Sequence, residues 1–128
     1  MSRTVYVNGA YAAEEEAKIS VFDRGFLFAD GVYEVSSVIR GRLVDNRAHL
    51  RRLHRSLSEL EMNAPASDSE IESIQYELIA RNELDEGIVY LQVTRGAADR
   101  DDHHRHVDVA GEEVRAPAFA VRGAVHRE

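Results

Sequence analysis

Four groups of side chains in this sequence have chemistry to offer: an arginine cluster, a tyrosine beside a glutamate, two acids next to glycines, and a histidine-rich run. Arg51, Arg52 and Arg55 each carry a guanidinium, a planar fork of donors that grips phosphate or carboxylate through two bonds at once. Arg52 lies nearest the apolar stripe of Leu50, Leu53, Leu57 and Leu60, so it alone is placed to turn inward while the other two stay in water. Tyr33 follows Gly31 on an alternating run, where its hydroxyl serves either a ligand or a satisfied place in the core. Glu34 projects to the opposite side of a regular strand and takes a supporting part. Asp23-Arg24-Gly25 and Asp30-Gly31 read as turn formers rather than an acid/base pair, with glycine supplying backbone freedom and the acids bonding the next amides. Arg100 follows Gly96-Ala97-Ala98-Asp99 in a loop, a position where arginine is ordinarily just solvated. His103, His104 and His106 with Asp101, Asp102 and Asp108 include first-row metal ligands. Such dense spacing without a scaffold means adventitious binding, so no functional metal site is expected.

The elements that must hold these groups follow from the periodicity. Val5-Tyr6-Val7 and Ala10-Tyr11 flank Asn8-Gly9, a hairpin signal because both central residues tolerate positive φ. Val32 to Ile39, then Arg40-Gly41, then Arg42-Leu43-Val44 predict a second hairpin. The leucine stripe predicts a helix capped by Asp45 or Asn46. Ser67-Asp68-Ser69-Glu70 is a capping box opening another helix, with Ile71, Ile74 and Leu78 inward and an end near Asn82. Ile88 to Thr94 reads as a strand. The fold class is therefore α+β, a mainly antiparallel sheet with two helices packed on one face.

A chain of 128 residues, 44% hydrophobic, supports one ordinary core. Its net charge of −7 gives no reason to expect nucleic acid or an anionic membrane as partner, and points to small molecules. There is no cysteine, which excludes disulfides and thiolate metal sites. No apolar run approaches a spanning helix and the start lacks a signal-peptide core, so a cytoplasmic protein is expected. No glycine spacing of the P-loop or Rossmann type occurs.

Asp23-Arg24-Gly25-Phe26, Asp30-Gly31-Val32-Tyr33-Glu34, His49-Leu50-Arg51-Arg52-Leu53, and Gln92-Val93-Thr94-Arg95-Gly96 followed by Arg100 together resemble the small N-terminal domain of the D-amino-acid transaminases. That group sits in the fold-type IV pyridoxal-phosphate family with the branched-chain aminotransferases and aminodeoxychorismate lyase. The match covers about residues 4 to 100, and Asp-Gly-Val-Tyr-Glu-Val with Val-Thr-Arg-Gly leans toward the D-amino-acid enzymes. The resemblance implies pyridoxal 5'-phosphate as cofactor, with Arg52 on its phosphate. It also implies Tyr33 and Arg100 on the substrate α-carboxylate, an amino acid such as D-alanine and a 2-oxo acid as substrates, and a homodimer.

Two departures qualify that picture. Full-length members join the cofactor aldehyde to a lysine of a second, larger domain, whereas no lysine follows Lys18 here. Lys18 matches a family position without a catalytic role and reads as surface, so no catalytic residue is assigned and the 128-residue polypeptide alone is expected to be inactive. Asp102 stands about where the family carries a histidine after the arginine. The stretch from Asp101 to Arg115, dense in Asp, His, Arg and Val, resembles an out-of-frame reading of a GC-rich gene. Residues 1–100 are therefore taken as the family domain. Residues 101–128 are taken as a divergent, poorly ordered tail of a truncated or frameshifted chain.

Overall fold

A computed structural model describes residues 2–98 and 118–125. The order along the chain is β1 (Thr4–Val7), β2 (Ala10–Ala13), α1 (Arg24–Phe28), β3 (Gly31–Ile39), β4 (Arg42–Leu43), α2 (Asn46–Glu59), α3 (Asp68–Arg81), β5 (Gly87–Thr94) and β6 (Ala118–Val125). The strands form one six-stranded sheet in the order β2-β1-β6-β5-β3-β4. Every pairing in it is antiparallel.

Both expected hairpins are present, for the expected reason. Asn8 and Gly9 sit at φ 49° and 96°, Arg40 and Gly41 at 53° and 72°, the positive values that match a two-residue turn to the twist of its strands. α2 and α3 lie on the same face of the sheet. There Leu53, Leu57, Ile71 and Leu78 pack with Val89, Leu91, Val93, Phe119 and Val121 in a single buried core. Each such side chain taken out of water contributes about 1.5–3 kcal/mol.

Ser67 caps α3 as its sequence predicts, its hydroxyl accepting the Glu70 amide at 3.2 Å and donating to the Glu70 carboxylate at 3.0 Å. The start of α2 differs. Asp45 occupies the cap position at φ 54° and makes no side-chain cap bond. Asn46 is buried instead, donating to Gln75 at 2.9 Å and Glu72 at 3.1 Å and accepting from Ser36 at 3.3 Å, a tertiary use that overrides the local one. Leu60 leaves the leucine stripe because α2 stops at Glu59, and Met62 is buried in its place. Ile74 is only partly buried at the edge of the core.

Two elements were not read from the sequence. α1 is a five-residue helix where turns were expected. β6 lies within the 101–128 segment, and residues 118–125 run between β1 and β5 near the middle of the sheet rather than in a poorly ordered tail. Its signal is faint because only Phe119 and Val121 carry bulk toward the helices, among the small residues Ala118, Ala120, Gly123 and Ala124. The rest of the proposed divergence, residues 101–117 and 126–128, lies outside the described residues, and with it His103, His104, His106 and the acids beside them.

Candidate functional site

The half of β3 from Gly31 to Ser36 pairs with β5 on one side, while on the other β4 pairs only with Val38 and Ile39. Among the described residues that leaves an open edge, and two of the sequence candidates meet it from opposite faces. Strand alternation sends Glu34, Ser36 and Val38 toward the helices and Tyr33, Val35 and Ser37 away from them.

On the helix side, Glu34 is buried, with 4% of its side chain exposed, and it receives three hydrogen bonds from one guanidinium. Arg52 donates from Nε to both carboxylate oxygens at 3.2 and 2.9 Å, and from Nη2 to Oε1 at 2.9 Å. His49 completes the cluster, its Nδ1 lying 2.8 Å from Glu34 Oε1. Burial alone would raise the Glu34 pKa, yet the bonds from Arg52 and His49 outweigh it and hold the carboxyl below its ordinary range. The carboxylate therefore only accepts, and His49 donates from Nδ1. The same bonds, with a smaller contribution from the Tyr33 phenol, raise Arg52 above its already high value.

Arg52 thus turns toward β3 as its place beside the leucine stripe suggested, but it does not enter the core. Its side chain is 64% exposed. The Nε/Nη2 edge is occupied by Glu34, and among the described residues no acceptor meets Nη1. A second edge of the fork, Nη1 with the remaining Nη2 proton, is left for an anion.

On the other face, Tyr33 is 63% exposed, which decides against the core reading. Its ring stacks on Tyr90, centroids 5.7 Å apart, and the Arg122 guanidinium lies 4.9 Å from the Tyr90 centroid. Arg122 and Tyr90 went unnoticed in the sequence because they come together only through the β5–β6 register. Arg100 lies outside the described residues, two positions beyond Ala98. Lys18 is exposed, as expected.

The acid-glycine motifs are structural, with corrections. Asp23 caps α1 by accepting the Gly25 amide at 2.8 Å and takes the Thr94 hydroxyl at 3.0 Å. Asp30 bonds no turn amide. It accepts from Arg95 at 2.7 Å and Arg24 at 3.3 Å. Burial pushes its pKa up, but the two guanidiniums pull it further down. Gly25 and Gly31 do not serve backbone freedom, since neither has positive φ. At Gly31 a Cβ would lie 2.8 Å from the Val93 carbonyl oxygen, and at Gly25 it would collide with the Thr94 side chain. An open cleft of about 270 Å³ lies beside α1 on the bare face, touching Ile19, Phe26, Gln92, Thr94 and Ala120. The one buried carboxylate there, Asp23, already has both oxygens engaged, so the cleft carries no acid or base.

A family model for amino-transferase class IV matches residues 31–121, the span that holds Tyr33, Glu34 and Arg52. The chain belongs to the aminotransferase class IV family. D-alanine aminotransferase of Staphylococcus aureus (strain MSSA476) is 35% identical over 97 residues, covering 76% of the chain and 34% of the relative. The enzyme of the same name from Listeria monocytogenes serotype 4b (strain F2365) is 36% identical over 99 residues, covering 77% and 34%. The class IV chain therefore spans about a third of the length of these relatives. Among solved structures, the branched-chain aminotransferase of the thermophilic archaeon Thermoproteus uzoniensis with norvaline superposes with TM-score 0.81 at 20% identity, covering 100% of this chain and 42% of that one. The Escherichia coli branched-chain enzyme gives 0.82 at 16% identity, covering 98% and 42%. The α+β fold is that of the N-terminal domain of fold-type IV aminotransferases. No described helix is long and apolar enough to cross a membrane.

Proposed function

We propose that this segment is the wall of a pyridoxal-phosphate-dependent D-amino-acid transaminase that grips the cofactor phosphate and the substrate α-carboxylate. The enzyme would move an amino group between an amino acid such as D-alanine and a 2-oxo acid. The observation that carries the reading is the free edge of the Arg52 guanidinium, held beside the open half of β3. That donor set fits a phosphate dianion. D-alanine aminotransferases among the relatives, and the Val32-Tyr33-Glu34-Val35 and Val93-Thr94-Arg95-Gly96 motifs, support the D-amino-acid class over the branched-chain and aminodeoxychorismate lyase alternatives.

When bound, pyridoxal phosphate supplies the electron sink for loss of the substrate Cα proton. The residues of this chain bind and orient. Arg52 holds the phosphate through charge-assisted bonds, and the family resemblance gives the substrate carboxylate to the Tyr33 hydroxyl and the Arg100 cation. Neither Arg52 nor Tyr33 is suited to move the proton. The only lysine in the sequence is the exposed Lys18. It favours a second reading, in which this polypeptide alone is a non-catalytic module or a subunit completed by another chain.

Four measurements separate the readings. Pyridoxine 5'-phosphate, which has no aldehyde to react with amines, is expected to bind the chain and to lose its binding in Arg52→Ala. Unchanged binding in that variant refutes the phosphate assignment. Added pyridoxal phosphate is expected to give no stable band near the visible edge, and D-alanine with 2-oxoglutarate no turnover. Substituting this chain for the matching third of the Staphylococcus aureus enzyme is expected to keep D-alanine as substrate, and a switch to L-leucine would transfer the assignment to the branched-chain class.

A further inference from the structure

Arginine side chains are rich in rotamers, and an exposed one samples many orientations unless something fixes it. Arg52 is both exposed and triply bonded to a buried carboxylate, an unusual combination. Glu34 is inward on β3, so it cannot itself reach a ligand on the far side of the guanidinium. It holds the Nε/Nη2 edge, and because a guanidinium is planar, fixing one edge fixes the direction of the other. His49 on the turn before Arg52 donates to the same carboxylate and keeps it from swinging away.

We propose that Glu34 is a positioning residue for phosphate recognition, aiming the outer edge of Arg52 at the open side of β3 with His49 as its brace. This deepens the assignment of Arg52 to the phosphate and rests on it. The competing role, a clamp that only ties α2 to β3, makes a different demand. It needs the Glu34 charge and gains nothing from aim. Charge also works against binding, because the Glu34 carboxylate repels a phosphate dianion a few ångströms beyond Arg52.

Reach and charge separate in two variants of the full chain. Glu34→Asp keeps the charge but withdraws the carboxylate by one methylene, whereas Glu34→Gln keeps the reach and one acceptor oxygen and drops the charge. The probe is pyridoxine 5'-phosphate, titrated by NMR. Glu34→Asp is expected to weaken binding about two- to tenfold, the cost of immobilising one long side chain, and Glu34→Gln to stay closer to the native chain. Equal affinity of native chain and Glu34→Asp, or a greater loss in Glu34→Gln than in Glu34→Asp, overturns the proposal. If Arg52→Ala loses binding while Glu34→Asp does not, the inference alone fails. If Arg52→Ala binds normally, the phosphate assignment falls with it. Should Glu34→Asp fail to fold, nitrogen-15 NMR of the unliganded native chain decides: a slowly rotating Arg52 guanidinium is expected, and one that averages freely, like that of Arg51, overturns the proposal.

Discussion

The two faces of one sheet in this protein follow opposite rules. On the helix side, Val89, Leu91 and Val93 of β5 meet Phe119 and Val121 of β6 under α2 and α3 in an apolar cluster, with Gln75, Asn46 and Glu34 the polar side chains buried on that side. On the other side, alternate positions of the same strands carry Tyr90, Gln92 and Arg122, with Tyr33 stacked alongside. Ile19, Val21, Phe22, Phe26 and Leu27 are exposed as well. A single shift of one residue separates a core position from an outward-facing one. Stability is concentrated on the first face, while the second holds aromatic and apolar surface that the described residues leave uncovered.

Denaturation of point variants tests that division. Leu53→Ala on the covered face is expected to cost about 2–5 kcal/mol, against less than about 1 kcal/mol for Tyr33→Ala on the bare one. Equal losses would break the comparison. Gly31→Ala comes next, at about 1–3 kcal/mol, because its new methyl meets the Val93 carbonyl, a backbone atom that cannot step aside cheaply.

Acid sharpens the contrast between buried pairs and bare surface. Glu34 and Asp30 both have folded pKa values below their ordinary ones. Their stabilisation is therefore complete above the usual carboxylate range of about pH 4 and is lost as pH falls through the lowered values. The urea midpoint is expected to fall over that window, less steeply in Glu34→Gln, and a slope identical to that of the native chain would refute the assignment for Glu34.

The smallest effect on stability belongs to Phe26→Ser in the exposed apolar run, within about 0.5 kcal/mol. Its effect on association is expected to be larger. The native chain should sediment as a dimer or higher oligomer and the variant should shift toward monomer. A monodisperse native monomer would remove the argument that this face seeks a partner.

Much of this could be read in advance where local rules act alone. The Asn8-Gly9 and Arg40-Gly41 turns need only backbone preference, and the Ser67 cap needs only a hydroxyl three residues before an amide. Arg52 was picked out by its place beside a helical stripe, and Tyr33 by the resemblance to the family, strand alternation leaving its place open. β6 was missed because alanine-rich alternation carries little signal, and its place beside β5 comes from pairing across a long gap in sequence. Asp30 was misread for the same reason, since its second arginine lies 65 residues away.

Sequence by itself determined the hairpins, the two long helices, the place of Arg52 beside the leucine stripe, and the absence of any lysine but Lys18. Only the tertiary structure decided that Glu34 would hold that arginine by one edge, and that Tyr33 would face open space. Those outcomes depend on which strand lies next to which and which face the helices cover. Such contacts are set by the burial of the whole core, not by the neighbours of any one residue.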